Sequence, residues 1–139
     1  MNIAIFTNTY KPHVAGVANS VERLARAARE EGHRVCVVAP TFPDMPGEED
    51  GNEVIRLPAI QNFNGSDFSV SLPAPLKLRE KLREFDPDLI HAQHPFLLGD
   101  TAIRWAETHC LPLLFTHHTM YEQYTHYVPA DSPALKRFV

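Results

Sequence analysis

The run Ile3-Ala4-Ile5-Phe6, the loop from Thr7 to Gly16, and the spaced apolar residues Val17, Val21, Leu24, Ala25 and Ala28 decide how this chain folds. Four apolar residues in a row mark a strand buried on both faces. The later set recurs at helical spacing on one face, and Gly32 is placed to stop the helix. Glu22 and Arg26, four apart, form a favourable pair on the outer side. Strand, glycine loop and helix together open a nucleotide-type α/β unit. A helix N-terminus presents unpaired N–H groups and the positive end of its dipole, so it attracts phosphate, and a glycine lets the phosphate approach.

That loop holds one glycine, without Gly-x-Gly-x-x-Gly and without Gly-Lys-Ser/Thr. It is neither a dinucleotide fingerprint nor a P-loop. Two readings of Gly16 stay open: a phosphate contact, or a tight entry into the helix.

Outward from this unit, Arg34 to Ala39 reads as a second strand closed by Pro40. Pro43, Pro46, Gly47 and the acidic run Glu48-Glu49-Asp50 mark an exposed loop. A short strand, Glu53 to Leu57, ends at Pro58, and 59–67 reads as loop. Phe68, Val70 and Leu72 alternate with serines, the pattern of a brief half-buried strand. Leu76 to Phe85 is a helix with Leu78, Leu82 and Phe85 on one face. Its other positions carry Lys77, Arg79, Lys81 and Arg83 against Glu80 and Glu84. Such a helix is either a surface element packed on the sheet or a basic amphipathic element that meets anionic lipid.

Asp88 to Gln93 is the next strand, and His91, Gln93 and His94 gather at its end. Leu97 to His109 reads as a helix, with Trp105 and Ile103 available for packing. Leu111 to Phe115 reads as the fifth core strand, ending in Thr116, His117, His118 and Thr119. Three polar clusters thus lie at strand ends: Thr7 to Gly16, His91 to His94, and Thr116 to His126. A parallel sheet with helical crossovers gathers such ends on one edge, where ligands of open α/β sheets bind.

Composition narrows the class. In 139 residues, 44% hydrophobic and 22% charged, there is material for one globular core. A net charge of −4 gives no basic field for nucleic acid. Cys36 and Cys110 read as packing residues in a reducing compartment. No apolar run approaches the roughly 20 residues that span a bilayer, and a core strand at the very start leaves no room for a signal peptide. The expected location is the cytoplasm. Eight histidines invite a metal. Yet strand geometry turns His91 away from His94 and His117 away from His118, and no cysteine pair or His-Glu-x-x-His supports zinc. Acyl transfer lacks a Gly-x-Ser-x-Gly elbow.

Three segments, in order, carry a resemblance: Ile3 to Phe6 with Tyr10-Lys-Pro-His-Val-Ala-Gly-Val-Ala-Asn-Ser; Pro87-Asp-Leu-Ile-His-Ala-Gln-His-Pro-Phe-Leu-Leu-Gly99; and Leu114-Phe-Thr-His-His-Thr-Met-Tyr-Glu-Gln-Tyr-Thr-His-Tyr127. The chain resembles the N-terminal half of a GT-B glycosyltransferase of the retaining family 4 (group 1) type, nearest the subgroup that glucosylates diacylglycerol. One departure is Ala15, where many relatives carry a second glycine. The resemblance implies a Rossmann-like three-layer α/β/α fold with a mainly parallel sheet. It implies that His118 is the catalytic histidine, meeting the donor sugar, and that Gly16 and Val17 face the donor's diphosphate. His94, Phe96, Tyr121 and Glu122 would line the acceptor side, and Asn19 would help hold the loop. It favours the lipid reading of Lys77, Arg79, Lys81 and Arg83, hence a peripheral place on the inner face of the membrane. The implied substrates are a nucleotide-sugar, UDP-glucose or similar, and a lipid or sugar acceptor; no cofactor or metal is expected.

Ser132 and Pro133 start a helical pattern that the sequence does not complete. The expectation is therefore an incomplete N-terminal, acceptor-side domain over residues 1–139, lacking a C-terminal donor-binding domain and inert by itself. Two alternatives remain beside it: a family-4 transferase for a soluble sugar or thiol acceptor, and a non-catalytic nucleotide-binding α/β module.

Overall fold

Ala4, Phe6, Cys36, Val37, Val38 and Ile90 are fully buried, so the apolar runs of the sequence become the centre of a sheet. In chain order the computed structural model contains β1 (Asn2–Phe6), α1 (Gly16–Glu30), β2 (Arg34–Pro40), β3 (Val54–Leu57), β4 (Ala59–Ile60), β5 (Val70–Ser71), α2 (Pro75–Phe85), β6 (Leu89–Ala92), α3 (Leu98–His109) and β7 (Leu113–Phe115). It describes residues 1–13, 15–42, 53–60, 70–71 and 75–118. The main sheet has the order β3-β2-β1-β6-β7, and every pairing in it is parallel. Ile3 lies opposite Val35 on one side and Leu89 on the other.

Strand alternation sends β1 side chains to two faces. Ile3 and Ile5 pack with Val35, Val37 and the Val21 and Ala25 of α1. Ala4 and Phe6 pack with Leu78, Leu82 and Phe85 of α2 and with Leu98, Ala102 and Ala106 of α3. The result is the expected three-layer α/β/α arrangement. Burying a side chain such as Leu82 contributes roughly 2 kcal/mol. Gly32 ends α1 in the left-handed region, φ 85°, as its position in the sequence requires. Asn2 closes α2 from across the chain: its Nδ2 donates to Phe85 O at 3.0 Å and to Asp86 O at 2.9 Å.

Several expectations are corrected. The strand expected over Leu111 to Phe115 is shorter: β7 is three residues, paired parallel with β6 as the fifth strand of the main sheet. Part of the 59–67 loop is strand, since Ala59 and Ile60 pair antiparallel with Ser71 and Val70; two residues are too short for a periodic signal. Ile103 is exposed, because the buried stripe of α3 runs through Ala102 and Ala106. Cys110 is exposed at φ 54° just beyond α3 and does not pack. Cys36 does, and burial pushes its thiol up to about 12, leaving it inert. Glu22 pairs with Lys11 of the glycine loop instead of Arg26. Asn19 leaves its side chain exposed; its backbone N–H makes the first rung of α1 with Ala15 O at 3.0 Å.

Candidate active site

The strand order reverses between β1 and β6. The chain steps from β1 to β2 and β3 on one side, then returns to β6 and β7 on the other, with α1 and α3 on opposite faces. At such a switch point the loops beyond the strand ends part and leave a crevice. The last ladder rungs are regular: Thr7 N–H to Val38 O, Gln93 N–H to Phe6 O, and Thr116 N–H to Ala92 O, each 3.0 Å. They bring Thr7, Gln93 and Thr116, one from each polar cluster, out on one edge.

Asn8 joins the two halves of that edge. Its backbone N–H donates to His94 Nδ1 at 3.2 Å, its Nδ2 donates to Phe96 O at 3.0 Å, and its Oδ1 accepts from Leu98 N–H at 3.0 Å. The last bond satisfies a first-turn donor of α3, whose own preceding residue, Leu97, supplies no side-chain cap. Gly99 completes the join: a Cβ there would stand 1.7 Å from the His94 carbonyl oxygen.

His94 is 7% exposed. Burial, and then the charge of His118, push it down to about 4, so it is neutral near pH 7. With Nδ1 accepting from Asn8, the proton of the neutral ring sits on Nε2. His118 is half-buried, its ring 6.5 Å from that of His94, and its Nε2 lies 2.6 Å from Gln93 Oε1. Burial lowers its pKa first, and neighbouring His117 second. His91 Nε2 meets Thr116 Oγ1 at 2.7 Å, and burial followed by the His118 charge holds His91 low as well. His117 turns away and stacks on Phe115, with ring centroids 6.0 Å apart. The divergence of the two adjacent histidines is as expected. That of His91 and His94 is only partial, since β6 ends at Ala92 and both rings feel the charge of His118. This is a cluster of neutral imidazoles: it can orient hydroxyls and accept hydrogen bonds, and it repels added positive charge.

At the start of α1, Gly16 is exposed, and a Cβ there would meet nothing within 4 Å. Ala15 offers no side-chain cap. The N–H groups of Gly16, Val17 and Ala18 precede the first helical rung, Asn19 N–H to Ala15 O, the position at which a helix N-terminus meets an anion. Phe96 lies beside His94, exposed by 39%, with ring centroids 6.2 Å apart. Tyr121 and Glu122 lie outside the described residues. The basic residues of α2 are elsewhere. Leu78, Leu82 and Phe85 are buried in the core, and Lys81 is 3.8 Å from Glu84. Arg79 and Arg83 are exposed, and Leu76 is the exposed apolar residue of this helix, at 73%.

Sequence reasoning placed Gly16, His94 and His118 but gave no role to Asn8, Gln93 or Gly99. Gln93 is 2% exposed, and its Nε2 has no hydrogen-bond partner among the described residues. An unmet buried donor costs about 1–3 kcal/mol.

Residues 14–139 match the sequence model of Glycosyltransferase Family 4. The chain is 35% identical over 128 residues to alpha-monoglucosyldiacylglycerol synthase of Streptococcus pneumoniae, covering 92% of this chain and 29% of that protein. It is 34% identical to the synthase of the same name from Acholeplasma laidlawii, covering 99% and 34%. It is 32% identical to GDP-mannose-dependent alpha-mannosyltransferase of Corynebacterium glutamicum, covering 86% and 29%. The chain therefore spans about a third or less of the length of these relatives.

Proposed function

The chain belongs to Glycosyltransferase Family 4, and on that premise we propose that the whole protein moves a glucosyl-type group from a nucleotide-sugar to a lipid hydroxyl such as that of diacylglycerol, with retention and without a metal. What carries this reading is the joining of three polar loops at the β1/β6 switch point, with His118 held by Gln93 beside His94. In this reading the diphosphate meets the N–H groups of Gly16 and Val17, and His118 meets the donor sugar. His94, Phe96, Tyr121 and Glu122 line the acceptor side. Stabilisation of the departing diphosphate does most of the catalytic work, a second domain closes over the rim, and residues 1–139 alone are inactive. Lys77, Arg79, Lys81 and Arg83 rest the protein on anionic lipid at the inner face of the membrane. With the apolar face of α2 buried in the core, that contact is electrostatic, with the exposed Leu76 as an apolar addition. No helix among the described residues is long and apolar enough to cross a membrane.

The test is His118→Ala in the full-length protein, assayed with UDP-glucose and diacylglycerol. Turnover falls by about 100-fold or more, with an unchanged circular dichroism spectrum. Near-normal turnover removes His118 from the site. A second reading, a GDP-mannose donor, follows from the similarity to the GDP-mannose-dependent mannosyltransferase of Corynebacterium. The same assay run with GDP-mannose separates the two.

A further inference from the structure

We infer that Gln93 is a positioning residue: its side-chain oxygen holds the Nε2–H of His118, so that the Nδ1 lone pair of His118 is the atom presented to substrate hydroxyls. The inference rests on the reading of His118 as the histidine at the reacting centre.

Gln93 begins where the ladder of β6 ends, and its backbone N–H donates to Phe6 O at 3.0 Å, so its Cα is fixed by the central strand of the sheet. Its side chain is 2% exposed, with Oε1 at 2.6 Å from His118 Nε2. A carbonyl oxygen only accepts, so the ring nitrogen facing it carries the proton. In a neutral ring the other nitrogen, Nδ1, then holds a lone pair. Among the described residues, the groups facing His118 are His94 and His91 from the end of β6 and His117 from its own segment. None of these supplies a negative charge, so Gln93 holds the ring without making it more basic. His94 is fixed in the same sense: Asn8 occupies its Nδ1 and leaves Nε2–H as a donor. The two rings are therefore left with unlike atoms, an acceptor on His118 and a donor on His94. A sugar hydroxyl, which both donates and accepts, is matched by such a pair, and a phosphate oxygen is matched by the donor alone. Reversing the Gln93 amide would reverse the His118 tautomer, so the inference has a direct physical reading.

The experiment uses the full-length protein with ring-15N histidine, the His118 signals being assigned by their loss in His118→Gln. Above pH 7, long-range 1H–15N correlation should show His118 protonated at Nε2 with Nδ1 bare. Protonation at Nδ1 overturns the inference, and this result needs no Gln93 variant to fold. Two variants add kinetics. Gln93→Met keeps the volume and loses the bond; kcat should fall about 10- to 100-fold with the KM for donor within about twofold. Gln93→Glu places a carboxylate on Nε2 and should move the acidic limb of the kcat profile up by about 1–2 pH units. An unmoved limb together with full activity of Gln93→Met also overturns it. Should His118→Ala retain full turnover, the underlying functional reading fails instead, whatever the tautomer.

Discussion

The crevice edge between β1 and β6 and the outer face of α2 are both polar, but they are built in opposite ways. At the edge, Asn8, Gln93 and His94 are at most 7% exposed, and each is tied to a residue far along the chain. On α2, Arg79, Lys81 and Arg83 stand in water, and the pair Lys81–Glu84 is a local one at 3.8 Å. Buried polar groups act through geometry, because a lost partner cannot be replaced by solvent. Exposed charges act through their sum, because each is screened and replaceable. The first region should therefore be fragile to single changes, and the second tolerant of them.

The most severe break is Gly99→Ala. Its Cβ cannot coexist with the His94 carbonyl at 1.7 Å, so α3 or the 94–97 turn must move. A loss of about 3 kcal/mol or more in denaturant unfolding is expected, together with loss of turnover; a stability change below about 1 kcal/mol would mean that the join is not tight. Next comes Asn8→Ala. It strands Leu98 N–H and takes one donor from Phe96 O, which keeps the N–H of Gly99, and should cost about 1–3 kcal/mol. Asn8→Asp keeps the acceptor for Leu98 and should recover part of that.

Acid gives an effect of similar size from a different direction. On folding, burial takes His94 from its ordinary 6.5 to about 4. Between those values the unfolded chain binds more protons, so stability is complete above about pH 6.5 and declines as pH falls toward 4. The full loss is about 3 kcal/mol. Thermal melts of the full-length protein should track it, and His94→Gln should flatten the slope; an equal slope in the variant would assign the acid sensitivity elsewhere. The smallest effects belong to α2. Reversing Arg79 or Arg83 to Glu should change stability by under about 0.5 kcal/mol. Each reversal should weaken binding to phosphatidylserine vesicles by about 1–2 kcal/mol at low salt, less at high salt. Salt-independent binding would contradict an electrostatic contact.

The sequence was most readable where burial is continuous. Ile3–Phe6 and Arg34–Ala39 announce themselves as strands because both faces of a parallel sheet are covered, and the α1 and α2 stripes follow from helical spacing. It was least readable at the edges. β7 is shorter than its apolar run, and β4 is too short to show a period. Within the site, Gly16 and His118 stood out through the family motifs. Asn8 and Gln93 did not, because their roles lie in bonds to residues 90 and 25 positions away. A polar residue within two positions of the end of a buried strand is the weak signal that both carry.

The central claim is that the Gly16 turn and the ends of β6 and β7 serve one ligand. A crystal structure of the full-length protein with UDP-glucose tests it most directly. The account predicts the diphosphate on the N–H groups of Gly16 and Val17 and the sugar against His118 Nδ1, in a single bound donor. A donor bound clear of both residues would contradict it.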